Sequence, residues 1–144
     1  MGLQECVKFA NENPVCFLAT MDGDQPRVRT LLHVFATDKG FYYTVLTPKR
    51  VYEQLKANPK VEVCYYNNPE QLQDCKQMRV TGEIEWVDEK EADEKAHSDR
   101  TFIDQIIGKP VKPLLAVFRI AHGVAHFWTL SDILKERELE RVKF

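Results

Sequence analysis

The chain has 144 residues, 44% of them hydrophobic, enough for one domain with a real core and too few for two ordinary ones. A formal net charge of -2 and a pI near 6.1 exclude a protein built mainly to neutralise nucleic-acid phosphates, so any anion site must be a small local pocket. The four cysteines, at 6, 16, 64 and 75, form no C-x-x-C pair and no dense framework, which points to reduced buried thiols rather than zinc ligands or disulfides.

Leu3, Val7 and Ala10 share one face of a first helix, which the Asn-Glu-Asn-Pro stretch at 11–14 ends. This opening segment carries charges where a signal peptide would need its apolar core, and no apolar run in the chain reaches membrane-span length. A cytoplasmic location is expected. VCFLATM at 15–21 is a short apolar run bounded by turn residues, as a buried strand is, and the DGDQP after it carries an Asp-Gly hairpin signal. Along 26–35, alternation places Arg27, Arg29, Leu31 and His33 on one strand face and Val28, Thr30, Leu32 and Val34 on the other. FYYTVL at 41–46 is rich in the aromatic and β-branched residues that strands favour. A helix is predicted over about 48–57, with Thr47 as its cap and Pro48 at its first position.

KVEVCYY at 60–66 is a fourth strand, followed by a polar connection with one helical turn. The stretch 77–87 alternates as one half-buried strand, with Met78, Val80, Ile84 and Trp86 on one face and Gln77, Arg79, Thr81, Glu83 and Glu85 on the other. Residues 88–108 are a charged helical region in one or two pieces, ending at Gly108. Two further strands, 114–120 and 124–130, flank the turn Ala-His-Gly. The pattern is mainly β (α+β): six or seven antiparallel strands, many joined as hairpins, with peripheral helices, closing into a barrel or sheet. Residues 1–130 form the domain, and 131–144 are expected to be a helical tail.

Several chemistries are unsupported. His97, Ser98 and Asp99 are neighbours on a charged helix and point in different directions, so they make no catalytic triad. The four histidines lack metal-ligand spacing, and no glycine-rich phosphate loop is present. Lys49 and Arg50 are more telling. A helix start carries partial positive charge, so two cations there cost a few tenths of a kcal/mol each. Taken alone the pair would be ordinary solvated residues. The neighbouring strand adds Arg27 and Arg29 on one face, and a hairpin through 41–46 would deliver the helix start beside them. Four converging cations repel one another unless a dianion such as a phosphomonoester compensates, and guanidinium forks suit phosphate oxygens.

These residues resemble the pyridoxamine 5'-phosphate oxidase-like flavoproteins, FMN-binding split β-barrels that pair as homodimers, and in particular the small nitroimidazole-resistance-type branch. The resemblance covers roughly residues 3–130. The family's R-x-x-L-L-K strand is matched by Arg29, Thr30, Leu31, Leu32, His33 and Val34, its F-Y-T by Tyr42, Tyr43 and Thr44, and its paired basic residues by Lys49 and Arg50. Gln77 opens a Q-V-x-V-x-G-like strand, and Trp128 lies in an E-F-W-like segment. The resemblance implies that Arg27, Arg29, Thr30, Leu31, Leu32, Tyr43, Thr44, Lys49, Arg50, Gln77 and Trp128 bind FMN between two subunits. The basic side chains would hold its phosphate, and the arginine-bearing strand would border its ring.

The departures matter as well. His33 and Val34 replace the family's lysine, and TLSDILKERE stands where the vitamin B6 oxidase carries an R-L-H segment, so that activity is not expected. The expected function is a small FMN-dependent oxidoreductase, without nucleic-acid or membrane partners. His33, His126 and Tyr43 are the candidate groups near the ring, with no general acid or base assigned. The alternatives are a non-catalytic flavin- or haem-binding module, with His33 or His126 as haem ligand, and an oligonucleotide-binding barrel, which the acidic balance disfavours.

Overall fold

The computed structural model describes residues 2–144. Helix α1 (Leu3–Glu12) buries Cys6 and Ala10 and stops just before Pro14, because the residue preceding a proline is pushed out of helical conformation. Strands β1 (Val15–Asp22) and β2 (Gln25–Thr37) follow as a hairpin. Its two-residue loop has Gly23 at φ 63, the sign a type II′ turn requires at its first central position. Then come β3 (Gly40–Leu46), α2 (Arg50–Ala57), β4 (Lys60–Tyr66), β5 (Lys76–Glu83) and β6 (Glu85–Val87). Helices α3 (Lys90–Ser98) and α4 (Thr101–Ile107) lead to β7 (Leu115–Ile120), β8 (Gly123–Thr129) and β9 (Val142–Lys143).

Among the described residues, nine strands form one antiparallel sheet in the order β6-β7-β3-β2-β1-β4-β5-β8-β9. The sheet curls into a half-barrel. Tyr65 on β4 donates its hydroxyl to that of Tyr43 on β3 at 2.8 Å, across the two strands between them. Phe41 on β3 meets Phe144, beyond β9, with ring centroids 5.2 Å apart. Leu18, Phe41, Tyr43, Tyr65, Met78 and Phe118 are fully buried inside.

Three expectations need correction. The stretch 77–87 is two strands rather than one. Glu83 still pairs with Lys60 on β4, whereas Glu85 pairs with Arg119 on β7. Ile84 makes the crossing, its N–H donated to Pro59 at 2.8 Å, because a curled sheet obliges the chain to leave one half for the other. The tail contains no α-helix. It makes two 3-10 turns, Leu130–Asp132 and Glu136–Glu138, and ends in β9. The open edge of β8 takes up its backbone, and Val142 and Phe144 gain more from the core than a solvated helix would offer. With these two changes the expected seven strands become nine. Helix α2 starts at Arg50 with Lys49 as its N-cap. Thr47 donates its N–H to Leu114 at 2.9 Å instead of capping, so Thr47 and Pro48 belong to the preceding turn. The charged region 88–108 is two helices, and Gly108 at φ 74 ends the second. No described helix is long and apolar enough to cross a membrane.

Candidate functional site

β2 and β3 are paired only over part of their length. The ladder runs from Thr37↔Gly40 to His33↔Tyr43, with the register shifting between His33 and Phe35. Beyond that point the two strands part. Residues 27–32 of β2 still pair with β1, but their other side faces an opening, which Thr44, Val45 and Leu46 border from β3. An antiparallel strand sends the N–H and C=O of alternate residues to the same side. The Leu32 carbonyl points into the opening, where Arg100 donates to it, so the backbone groups of Thr30 share that side.

The opening is a cleft of about 200 Å³, lined by Thr30, Leu31, Leu32, Val45, Leu46 and Leu115 and closed by Arg100, Phe102 and Ile103 from the α3–α4 corner. It runs into a second cavity of about 280 Å³ that Asp22, Arg27, Arg29, Lys49, Arg50 and Gln54 line. Arg29, Lys49 and Val51 border both. One end of the groove therefore carries four cations, and the other is largely apolar, with Arg100 at its edge.

Each cation is placed differently. Arg29 is locked: Nη1 donates to Thr20 Oγ1 at 2.7 Å and to the Leu18 carbonyl at 3.2 Å, and Nη2 to Gln54 Oε1 at 2.7 Å. Thr20 also donates to Gln54 at 2.6 Å, which ties α2 to the sheet beneath. Burial, and then the charge of Arg27, lower the Arg29 pKa, as expected where positive charges crowd without a counter-ion. Arg27 donates through Nε to Asp22 at 3.3 Å. Lys49 and Arg50 are exposed at the start of α2, which has no side-chain cap. An uncapped helix start flanked by guanidinium groups suits an anion.

The other predicted residues divide into two groups. Thr30, Leu31, Leu32 and Thr44 line the cleft, although the Thr44 hydroxyl already donates to the Ala116 carbonyl at 2.9 Å. Tyr43 does not reach it. The phenol is fully buried, accepts from Tyr65, and stacks on Phe118 with centroids 5.3 Å apart. Gln77 and Trp128 sit opposite each other on β5 and β8, and Gln77 Oε1 accepts from Cys64 Sγ at 3.3 Å. β1 and β4 separate them from β2, so one chain does not bring them to its own cleft.

Neither candidate histidine lines the cleft. His33 is buried, with Nδ1 3.1 Å from the Tyr65 hydroxyl, and burial followed by the charges of Lys95 and Arg100 pushes its pKa down to about 4. His126 takes Arg79 Nε at 3.2 Å on Nε2, and burial lowers its pKa as well. The residues that sequence reasoning missed are Thr20 and Gln54, which orient Arg29, and Arg100, which closes the cleft. No local signal marks them, since each becomes relevant only through contacts 9 to 68 residues apart in sequence. Another cleft, of about 340 Å³, lies beside Trp86, Asp88 and Asp93. Burial and Asp88 push the Asp93 carboxyl up, a setting unsuited to a phosphate. Among the described residues no group of three or more His, Cys, Asp or Glu could hold a metal ion.

Residues 3–129 match the family described as pyridoxamine 5'-phosphate oxidase. No curated protein matches the chain. Among solved structures, a NimC/NimA family protein from Clostridium acetobutylicum is 26% identical, with a TM-score of 0.74 over 99% of this chain and 92% of that one. A FAD-binding protein from Mesorhizobium loti is 24% identical, with a TM-score of 0.66 over 84% of this chain and 89% of that one. HutZ, the haem storage protein from Vibrio cholerae, is 21% identical, with a TM-score of 0.61 over 84% and 90%. The last two likenesses concern the fold alone.

Proposed function

Because the chain belongs to the pyridoxamine 5'-phosphate oxidase family, we propose that it binds FMN in the groove between β2 and α2 and works as a small flavin-dependent oxidoreductase. The observation that carries this reading is the groove itself, with four cations at one end and, at the other, a largely apolar cleft beside strand backbone that pairs with no neighbouring strand. Arg27, Arg29, Lys49 and Arg50 would hold the phosphate, and Thr30 to Leu32 would border the ring. Bound FMN would supply the hydride and electron chemistry, while the chain orients the ring and sets its surroundings. Vitamin B6 oxidation is not proposed, since TLSDILKERE follows Trp128 in place of the R-L-H segment.

The active form in this reading is a homodimer. The outward face of β1 and β2 exposes Val15 at 56%, Phe17 at 39% and Val28 at 71%, apolar area that a second copy would cover. That copy would also bring Gln77 and Trp128 to a cleft they cannot reach within one chain.

Titration with FMN, FAD, riboflavin and haem, monitored by absorbance and flavin fluorescence, tests the cofactor. FMN is expected to bind tightest, and to be recovered on denaturation of protein purified with it. A protein that takes up haem but not FMN overturns the reading. The FMN-loaded protein should have twice the 16.8 kDa mass of one chain by light scattering, and a fully loaded monomer would rule out a shared site. No imidazole or carboxylate lines the apolar cleft among the described residues, an observation that favours a second reading, a flavin carrier without turnover. Anaerobic reduction by NADH or NADPH, followed by nitro, quinone and enone acceptors, separates enzyme from carrier.

A further inference from the structure

Arg100 lies at the α3–α4 corner, only 6% exposed. Nη1 donates to the Ala96 carbonyl at 2.9 Å and Nη2 to the Leu32 carbonyl, which leaves three of the five guanidinium N–H groups. Among the described residues no carboxylate comes within ion-pair distance. The adjacent Asp99 pairs instead with Lys95 at 2.8 Å. Burial lowers the Arg100 pKa, only partly offset by Asp99. A buried charge held by carbonyl dipoles alone is incompletely compensated, and a complementary negative group beside it is worth more than in water.

That charge faces the cleft. Arg100 lines it together with Phe102 and Ile103 and is anchored at Leu32, about 10 Å along β2 from Arg29. The phosphate of FMN would engage the cations at the Arg29 end, which leaves Arg100 as the charge at the ring end. The other charged groups near this end are Lys95 on α3 and Asp99 just beyond its end, already paired, and Lys49 and Arg29, which border both cavities.

We propose that Arg100 makes the cleft prefer the reduced, anionic form of FMN over the oxidised form, and so raises the cofactor's reduction potential. The inference rests on the FMN reading above. Uptake of two electrons and one proton by the oxidised ring leaves it with one negative charge, and a fixed cation at the ring end favours that product. A neutral reduced ring, formed by uptake of a second proton, gains nothing comparable.

The midpoint potential of bound FMN, measured by dye equilibration with dithionite as reductant, tests this on the FMN-loaded protein. In Arg100→Gln, reduced FMN should lose at least tenfold more affinity than oxidised FMN, a lowering of about 30 mV for a two-electron couple. Arg100→Lys, which keeps the charge, should retain most of the potential. The wild type supplies a check that needs no variant. Its change from one to two protons taken up per two electrons should lie at least one pH unit below that of free FMN measured in parallel. Equal weakening of both redox forms would assign Arg100 to clamping α3 and α4 onto β2, and overturn the proposal. A wild-type change at or above that of free FMN would overturn it too, even if Arg100→Gln failed to fold. If the wild type binds no FMN, the functional reading itself fails, and this inference with it.

Discussion

Arg50→Ala is expected to weaken FMN binding roughly 10- to 150-fold while changing riboflavin binding far less. Arg50 is the first residue of α2, exposed, and borders the cation-lined cavity. A charged hydrogen bond to phosphate contributes about 1.5–3 kcal/mol, and each 1.4 kcal/mol is a factor of ten. Riboflavin has no phosphate and so lacks the group that Arg50 would hold. The empty protein should keep its melting temperature or gain slightly, since a cation at a helix N-terminus opposes the helix dipole. Arg29 would be a poorer probe, because removing it also removes bonds to Thr20, Gln54 and the Leu18 carbonyl. Fluorescence titrations of wild type and variant with both ligands, and melting curves without flavin, give the answer. Equal losses for FMN and riboflavin would assign Arg50 to the ring or to the fold.

Acid should destabilise the empty protein through His33. Its pKa falls from an ordinary 6.5 in the unfolded chain to about 4 in the fold, so the unfolded state binds more protons between these values. Stability is therefore complete above pH 6.5 and is lost as pH falls toward 4, by about 3 kcal/mol in total. The cause is local. The imidazole is buried, faces the positive charges of Lys95 and Arg100 with only Asp99 opposing, and meets the Tyr65 hydroxyl at Nδ1. Carboxylates and His126 contribute slopes of their own, so the measurement is a comparison. Urea unfolding of wild type and His33→Gln from pH 4 to 7.5 should give curves that converge toward acid, with the variant flatter. Parallel curves would mean that His33 is protonated at little cost.

The strands at 15–21 and 60–66 were legible because each buries one face, and 41–46, buried on both faces, because its aromatic and β-branched residues mark it. The cation cluster was legible too. A hairpin followed by a helix leaves little freedom in where the helix starts, and the structure gathers Arg27, Arg29, Lys49 and Arg50 around one cavity. Periodicity says that a residue is buried but not against what, and Tyr43 packs against Tyr65 and Phe118 rather than lining the cleft.

The break at Ile84 and the pairing of residues 142–143 with β8 follow from closure of the sheet. Closure depends on contacts between segments far apart in the chain, and no local pattern encodes them. Local chemistry could place the helix near residue 50, but the helix starts at Arg50 with Lys49 as its N-cap, while the Thr47 N–H is held by the Leu114 carbonyl, 67 residues further on. Arg100 belongs to the same class. In the sequence it is one more charge in a charged helical region, and only the docking of the α3–α4 corner against Leu32 buries it and turns it toward the cleft. Side-chain periodicity thus determined the strands and the basic groove, while long-range backbone hydrogen bonding decided where strands end and which charges become buried.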